Sequence, residues 1–285
     1  QNVGAAGHAD IGFTVLQSDL AAALDAAQSI AIELPGAELL HESDLSKVSV
    51  VGLGMATQTG VADRMFRALA ESQINIKAIT TSQIKISALV ERSAGLEALR
   101  AVHSEFELER APQSRKEFGE PKKSARQANP VDIVARLTRM EDLTIEDIRL
   151  DASQGRVTIN GLPDEPGIAA QLFEAVAAED LMVDMIVQGA GRDGKANLSF
   201  TVPRPAVAKA EDVVREAAKR LGCGPVSSDP EIAILSVFGI GIRSHVGVGV
   251  RMFAALAGAN INVEMINTSE VRINVVVDAA EGTTG

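Results

Sequence analysis

Residues 60–79 read Gly60-Val61-Ala62-Asp63-Arg64-Met65-Phe66-Arg67-Ala68-Leu69-Ala70-Glu71-Ser72-Gln73-Ile74-Asn75-Ile76-Lys77-Ala78-Ile79. A glycine opens a stretch in which Val61, Met65, Phe66 and Leu69 recur as the single buried stripe of a helix. The stretch gives way at 74–79 to a run with the composition and length of a strand. Gly247, Val248, Met252, Phe253 and Leu256 repeat this spacing, and so do Gly167, Ile168, Leu172, Phe173 and Val176. A strand-like run follows each copy (74–79, 181–187, 261–266), and another precedes it (48–51, 157–159, 232–237).

Working outward, residues 48–90 and 235–277 align without a gap at an offset of 187, with about 19 of 43 positions identical. The same offset pairs Gln1 with Gln188 and Phe13 with Phe200. The chain therefore holds a tandem duplication, and each unit contains a shorter, more divergent repeat. After the second strand of a copy comes a third (85–90, 11–16, 197–202), then a second helix (95–106, 19–29, 207–221). This β-α-β-β-α-β order predicts an α+β fold of tandem ferredoxin-like modules packed side by side into larger antiparallel sheets, with helices on one face. The expected division is 1–45 as the back half of a module, 46–110 as a module, 111–130 as a linker, 131–228 as a module with a lead-in helix at 130–140, and 229–285 as a module. A fourth glycine of the series would fall before Gln1, so the chain is expected to begin inside a module of a longer protein. The polar stretch 107–129, with Pro112 and Pro121, reads as an exposed linker.

Composition narrows the function classes. The 285 residues carry a formal net charge of −11, which argues against nucleic acid or anionic membrane as a partner, since both need a basic face. No apolar stretch reaches the roughly 20 residues of a membrane span, and no signal peptide is visible. The one cysteine, Cys223, permits no internal disulfide and fits a cytoplasmic setting. With no Tyr or Trp, the core must be aliphatic, Met and Phe. His8, His41, His103 and His245 lack metal-ligand spacing, and no nucleophile–base constellation or phosphate loop occurs. Gly52-Leu53-Gly54 and Gly239-Ile240-Gly241 follow strands, but the next glycine comes six residues on, so a tight strand-to-helix turn is favoured over a dinucleotide site.

The helix starts are the chemical candidates. Asp164-Glu165-Pro166-Gly167-Ile168 puts Pro and Gly at a helix start with Asp164 placed to cap it. Residues 243–247 and 56–60 occupy the equivalent places. Each loop either only caps its helix or, through free N–H groups and the helix dipole, holds a ligand carboxylate; spacing alone leaves both open.

The string Gly-Leu-Pro-Asp-Glu-Pro-Gly at 161–167 resembles the ACT-domain signature. Residues 237–248 (Val-Phe-Gly-Ile-Gly-Ile-Arg-Ser-His-Val-Gly-Val) and 260–273 (Asn-Ile-Asn-Val-Glu-Met-Ile-Asn-Thr-Ser-Glu-Val-Arg-Ile) resemble the C-terminal ACT domain of aspartokinases, and 50–86 is a drifted second version. The resemblance covers nearly the whole chain except the linker and fits the aspartokinases with two ACT pairs. It implies an amino-acid-sensing regulatory region that binds threonine or lysine for feedback control and associates as a homodimer. It implies no catalytic residue, metal or cofactor here; ATP and Mg belong to a kinase domain expected before Gln1.

The resemblance places one effector site between the loop of Asp164, Pro166, Gly167, Ile168 and Ala169, together with Gln188, and a facing strand of Asn260, Ile261, Asn262 and Val263. Backbone N–H groups near Gly167 would take a carboxylate and Asp164 an ammonium or hydroxyl. The first pair would match with Gln1 against Gln73, Ile74, Asn75 and Ile76. There Lys77 replaces Glu264 and disfavours lysine, so the two pairs are expected to differ in preference. Pseudo-symmetry suggests a second site joining Ser244, His245, Gly247, Ser269 and Glu270 to Asp184. A stand-alone amino-acid sensor and a purely structural dimerisation module remain the alternatives.

Overall fold

The computed structural model describes residues 2–3, 9–52, 59–82, 84–109, 144–240, 242 and 247–282. The linker 111–130, the lead-in helix, Gln1, Ser244 and His245 lie outside them. Mixed α/β modules form two antiparallel sheets, with seven helices among the described residues.

The first module runs β3 (Leu45–Val51), α2 (Val61–Glu71), β4 (Ala78–Ser82), β5 (Lys85–Glu91) and α3 (Gly95–Glu105). The next runs β7 (Gln154–Pro163), α4 (Ile168–Ala178), β8 (Ile186–Gln188), β9 (Lys195–Pro203), α5 (Val207–Leu221) and β10 (Val226–Asp229). They share a seven-stranded sheet of order β10-β7-β9-β8-β4-β5-β3. The modules join where β4 pairs with β8, Ile79 opposite Gln188 and Thr80 opposite Val187. Helices α2 to α5 pack on one face. There the apolar stripes read from the sequence interlock: Phe66 meets Phe173 edge-on at 5.3 Å, and Phe173 meets Phe200 at 5.7 Å.

The second sheet has six strands. The last module supplies β11 (Ile232–Ile240), α6 (Gly247–Gly258), β12 (Met265–Thr268), β13 (Arg272–Asp278) and the short α7 (Ala279–Gly282). Earlier segments add β1 (Asn2–Val3), β2 (Ala9–Asp10) and β6 (Thr144–Asp151), giving the order β2-β1-β12-β13-β11-β6. Helix α1 (Leu20–Glu33) follows β2 in the chain.

The pairing crosses between the duplicated units, which corrects the expected grouping. The module at 154–229 pairs with the first copy's β4, and the last module pairs with β1, Asn2 opposite Met265. Adding 187 to Asn2 and subtracting it from Met265 gives 189 opposite 78, the register seen between β8 and β4. Both sheets thus follow one rule, set by ladder pairing between copies.

Three strand expectations also shift. The runs at 74–79, 181–187 and 261–266 enter a ladder only at Ala78, Ile186 and Met265. Before each run sits a left-handed residue that ends the helix: Gln73 (φ 56°), Asp180 (φ 52°) and Asn260 (φ 57°). The next N–H folds back onto the helix, as in Ile74 to Leu69 and Ile261 to Leu256, both 2.9 Å. The first residues of the runs at 74–79 and 181–187 therefore pass along the edge of the neighbouring module. Residues 11–16, expected as a strand, form none.

The sheets meet face to face. Met185, Val187, Ile232, Ile234, Met265 and Val276 make a small apolar patch between them. Polar links surround it. Asn267 donates to the Thr81 carbonyl at 2.6 Å and accepts from Thr80 Oγ1 at 3.4 Å. Arg156 pairs with Glu264 at 2.7 Å, and Lys85 pairs with Glu270. Since 267 minus 80 is 187, Thr80 and Asn267 are one repeat position meeting itself, which marks a pseudo-two-fold axis.

Candidate functional site

The loop between β7 and α4 faces residues 74–77, so Asp164 and Gln188 stand against the first module and away from Asn260, Ile261, Asn262 and Val263. The pairing of β4 with β8 causes this exchange. Asn75 donates Nδ2 to Asp164 Oδ1 at 2.8 Å and to its carbonyl at 3.3 Å. Lys77 Nζ lies 3.8 Å from Asp164 Oδ2. Gly191 passes so close that an added Cβ would sit 2.8 Å from the carboxylate, so the loop is held on both sides.

Asp164 does not cap α4, contrary to the reading from spacing. The N-cap is Gly167 in the left-handed region (φ 89°), and no side chain caps the helix. The first-turn N–H groups, including that of Ala169, lack intrahelical acceptors by construction of an α-helix. Gln188, 5% exposed, donates Nε2 to the Ile76 carbonyl at 3.2 Å, while its Oε1 is buried with no partner. Ile74, Ile76, Pro163, Ile168 and Ala169 close the apolar side. The room left is about 10 Å³, one water's worth. A carboxylate acceptor for helix N–H groups and a donor for Gln188 Oε1 are what this arrangement calls for.

The internal symmetry generates a related cleft at the start of α2, with about 50 Å³ of room. Thr59, Gly60, Asp63, Thr81 and Ser82 line one side, and Val183, Asp184 and Ile186 the other. Asp184 was expected to face Gly247, Ser269 and Glu270. Among the described residues it faces the first module, while Glu270 is engaged with Lys85 and Ser269 bends a local turn toward Arg272. Asp63 Oδ1 and Ser82 Oγ are buried without hydrogen-bond partners. Burial pushes the Asp63 carboxyl above its ordinary range, with Arg67 pulling the other way. Burial likewise raises Asp184, opposed by Arg272. Local spacing does not mark Asp63, an acid in the first turn of α2 where a helix commonly carries one. Adding 107 to 60, 63 and 77 gives Gly167, Ala170 and Asp184, so this cleft carries two acids where the Asp164 site has Ala170 and Lys77.

Other candidates serve the fold. Gln73 and Asn260 end helices, Ile261 is buried beneath α6, and the Asn262 N–H donates to Glu281 at 3.2 Å. Cys223 is half-buried against the core, and burial raises its thiol. The described residues contain no group of three or more potential metal ligands and no helix long and apolar enough to cross a membrane.

Repeated βαββα units pairing edge to edge, with a glycine-led helix start facing a neighbouring strand, define an ACT-type module array. The ACT-domain model matches residues 48–106, 157–217 and 235–284, and the chain belongs to the ACT-domain family. Its relatives are aspartate kinases. Over 139 residues, 49% of this chain, it is 40% identical to the aspartate kinase of Pseudomonas fluorescens, and over 140 residues 41% identical to the aspartokinase of Helicobacter pylori. The chain spans about a third (34%) of the length of each. The aspartate kinase of Synechocystis superposes on 100% of this chain and 46% of its own, with a TM-score of 0.84 and 29% identity.

Proposed function

We propose that this chain is the amino-acid-sensing regulatory region of an aspartate kinase, cytoplasmic and acting as a homodimer, whose ACT pairs bind threonine and lysine for feedback inhibition. The observation that carries the reading is Gln188 Oε1, buried and unpartnered beside an uncapped helix start. The room left here is one water's worth, so a free α-amino acid enters as the loop at 164–167 moves off residues 74–77; its carboxylate then accepts from the first turn of α4, and its ammonium donates to Gln188 Oε1 or Asp164. Lys77 beside Asp164 favours a short neutral side chain such as that of threonine. The cleft of Asp63 and Asp184 suits a ligand with a second ammonium, such as lysine. Either ligand shifts the population of module arrangements in proportion to its differential affinity, and an attached kinase reads that shift.

Calorimetric titration with threonine, then lysine, then each in the presence of the other tests this, since no Trp or Tyr is available to report by fluorescence. Saturable heat from threonine that is lost in Gln188→Leu, and heat from lysine that is lost in Asp63→Asn, are the expected results. No heat from either would remove the sensing role and leave a structural dimerisation module.

A further inference from the structure

Along β11 and β13, Ile234 stands opposite Val276, Ser236 opposite Asn274 and Phe238 opposite Arg272, with Arg149 of β6 on the other side of Ser236. Residues opposite one another in a ladder share a face, and so do alternate residues along a strand. Ile234 and Val276 belong to the apolar patch between the sheets, so Ser236, Phe238, Arg149 and Arg272 also face the seam. The Arg272 guanidinium lies 4.7 Å from the centre of the Phe238 ring, and its Nη2 donates to Ser236 Oγ at 2.7 Å. Its Nε is buried with no hydrogen-bond partner. Arg149 lies 5.0 Å from the same ring and has its own carboxylate, Asp147, at 2.5 Å. Burial pulls Arg272 below its ordinary range, and Asp184, from the other sheet, and Asp151 pull it back up.

Asp184 therefore has two neighbours of interest. Met185 packs in the patch with Ile234, which brings Asp184 to the rim of the seam, and Asp184 also lines the cleft at the start of α2. The other wall of that cleft is tied to the same turn. Ser82 lines it and stands opposite Lys85, and Lys85 pairs with Glu270. The turn between β12 and β13 thus reaches both walls, one through Glu270 and the other through Arg272.

A carboxylate in a poorly solvated place balances one cation well and two badly. On the reading of the cleft as a site for a cationic amino acid, we propose that Arg272 competes with the ligand's side-chain ammonium for Asp184. Arg272 then limits the affinity of the cleft for such a ligand, and a bound ligand loosens the β12–β13 turn, which is how the second sheet reads the occupancy of the first.

Lysine is the probe, with calorimetry and amide hydrogen exchange of the full chain at pH 7. Arg272→Met, which keeps the length and drops the charge, should bind lysine about tenfold more tightly than wild type, and Arg272→Lys should stay within about twofold of wild type. Each variant is checked for an intact unfolding transition. Saturating lysine should speed exchange at 269–274 of wild type about threefold or more and leave it unchanged in Arg272→Met. Ligand-free Asp184→Asn should already exchange at the faster rate there. That comparison needs neither ligand nor a change at Arg272, so it holds even where Arg272→Met folds poorly. A purely structural Arg272 predicts lysine binding that is unchanged or weaker in Arg272→Met, and wild-type exchange in Asp184→Asn. Either result overturns the proposal, and the first leaves the cleft a lysine site. Absence of lysine heat from every chain overturns the reading of the cleft and the competition with it.

Discussion

Phe66 and Phe253 hold the same place in two copies of one repeat, and their surroundings differ. Phe66 is sealed between α4 and the sheet, edge-on to Phe173, while Phe253 is 37% open. The sheet edges reverse the pattern. β11 is flanked by β6, whereas its counterpart β3 ends the seven-stranded sheet. The shared apolar residues therefore fix the element and its stripe, while burial is decided by what the rest of the chain brings alongside. The sharpest way to break this comparison is to truncate both rings. Phe66→Ala should destabilise by about 3–5 kcal/mol in urea unfolding, the usual cost of an aromatic cavity, and Phe253→Ala by under about 1 kcal/mol. Equal costs would mean that the α6 face is covered in solution.

The seam between the units gives the next largest effect. Asn267 is buried, and its side chain makes two hydrogen bonds across the sheets, to Thr80 and Thr81. Asn267→Leu leaves the Thr81 carbonyl without that donor and should cost about 1–3 kcal/mol. The apolar patch beside it has only six buried residues, so the same substitution should split one unfolding transition into two. A single unchanged transition would show that the patch alone couples the sheets.

The Asp164 site sharpens the comparison at the level of ligand. Gln188→Leu should weaken threonine binding about tenfold, equal to roughly 1.4 kcal/mol, in calorimetry. Lys77→Glu, which installs the residue type found at Glu264, should move preference toward lysine. Unchanged preference would show that Lys77 does not read the side chain.

Much of this was legible in the sequence because periodicity reports local structure. The glycine-led stripe located α2, α4 and α6 to within a residue of their starts, and the 187-residue offset gave the register shared by both sheets. What the sequence hid was which copy pairs with which. β4 and β12 present nearly the same edge, so nothing local distinguishes a partner in the same copy from one in the other. That ambiguity put Asn260 and Asn262 opposite Asp164, where the structure puts Asn75. Asp63 and Ser82 were hidden for another reason: an unpaired buried atom is a property of the assembled cleft, absent from any one segment.

The smallest effect concerns the acidic cleft and depends on pH. Asp63 has its carboxyl raised above 3.8, chiefly by burial, with Arg67 opposing and Glu174 and Glu105 adding to the rise. A raised folded-state pKa means that the native state holds its proton more tightly than the unfolded chain. The group's contribution is then most favourable below the unfolded value and is lost as pH rises through the folded one. Above that pH the folded protein bears the cost of burying a carboxylate that the unfolded chain exposes to water. Asp63→Asn should therefore stabilise the protein at pH 7, by up to about 1 kcal/mol, and change little at pH 3. Glu105, held down by Arg64, has the opposite sign, and Asp184 and Glu264 rise with burial. All three are present in both proteins, and Glu105 faces Asp63, so the difference between the two pH profiles reports Asp63 together with its repulsion of Glu105. Added lysine should give wild type more thermal stabilisation at pH 7 than it gives Asp63→Asn, because the ligand's ammonium would neutralise the charge that the substitution has already removed. Equal stabilisation of both proteins would place the cation elsewhere and leave Asp63 as a strained residue of the fold.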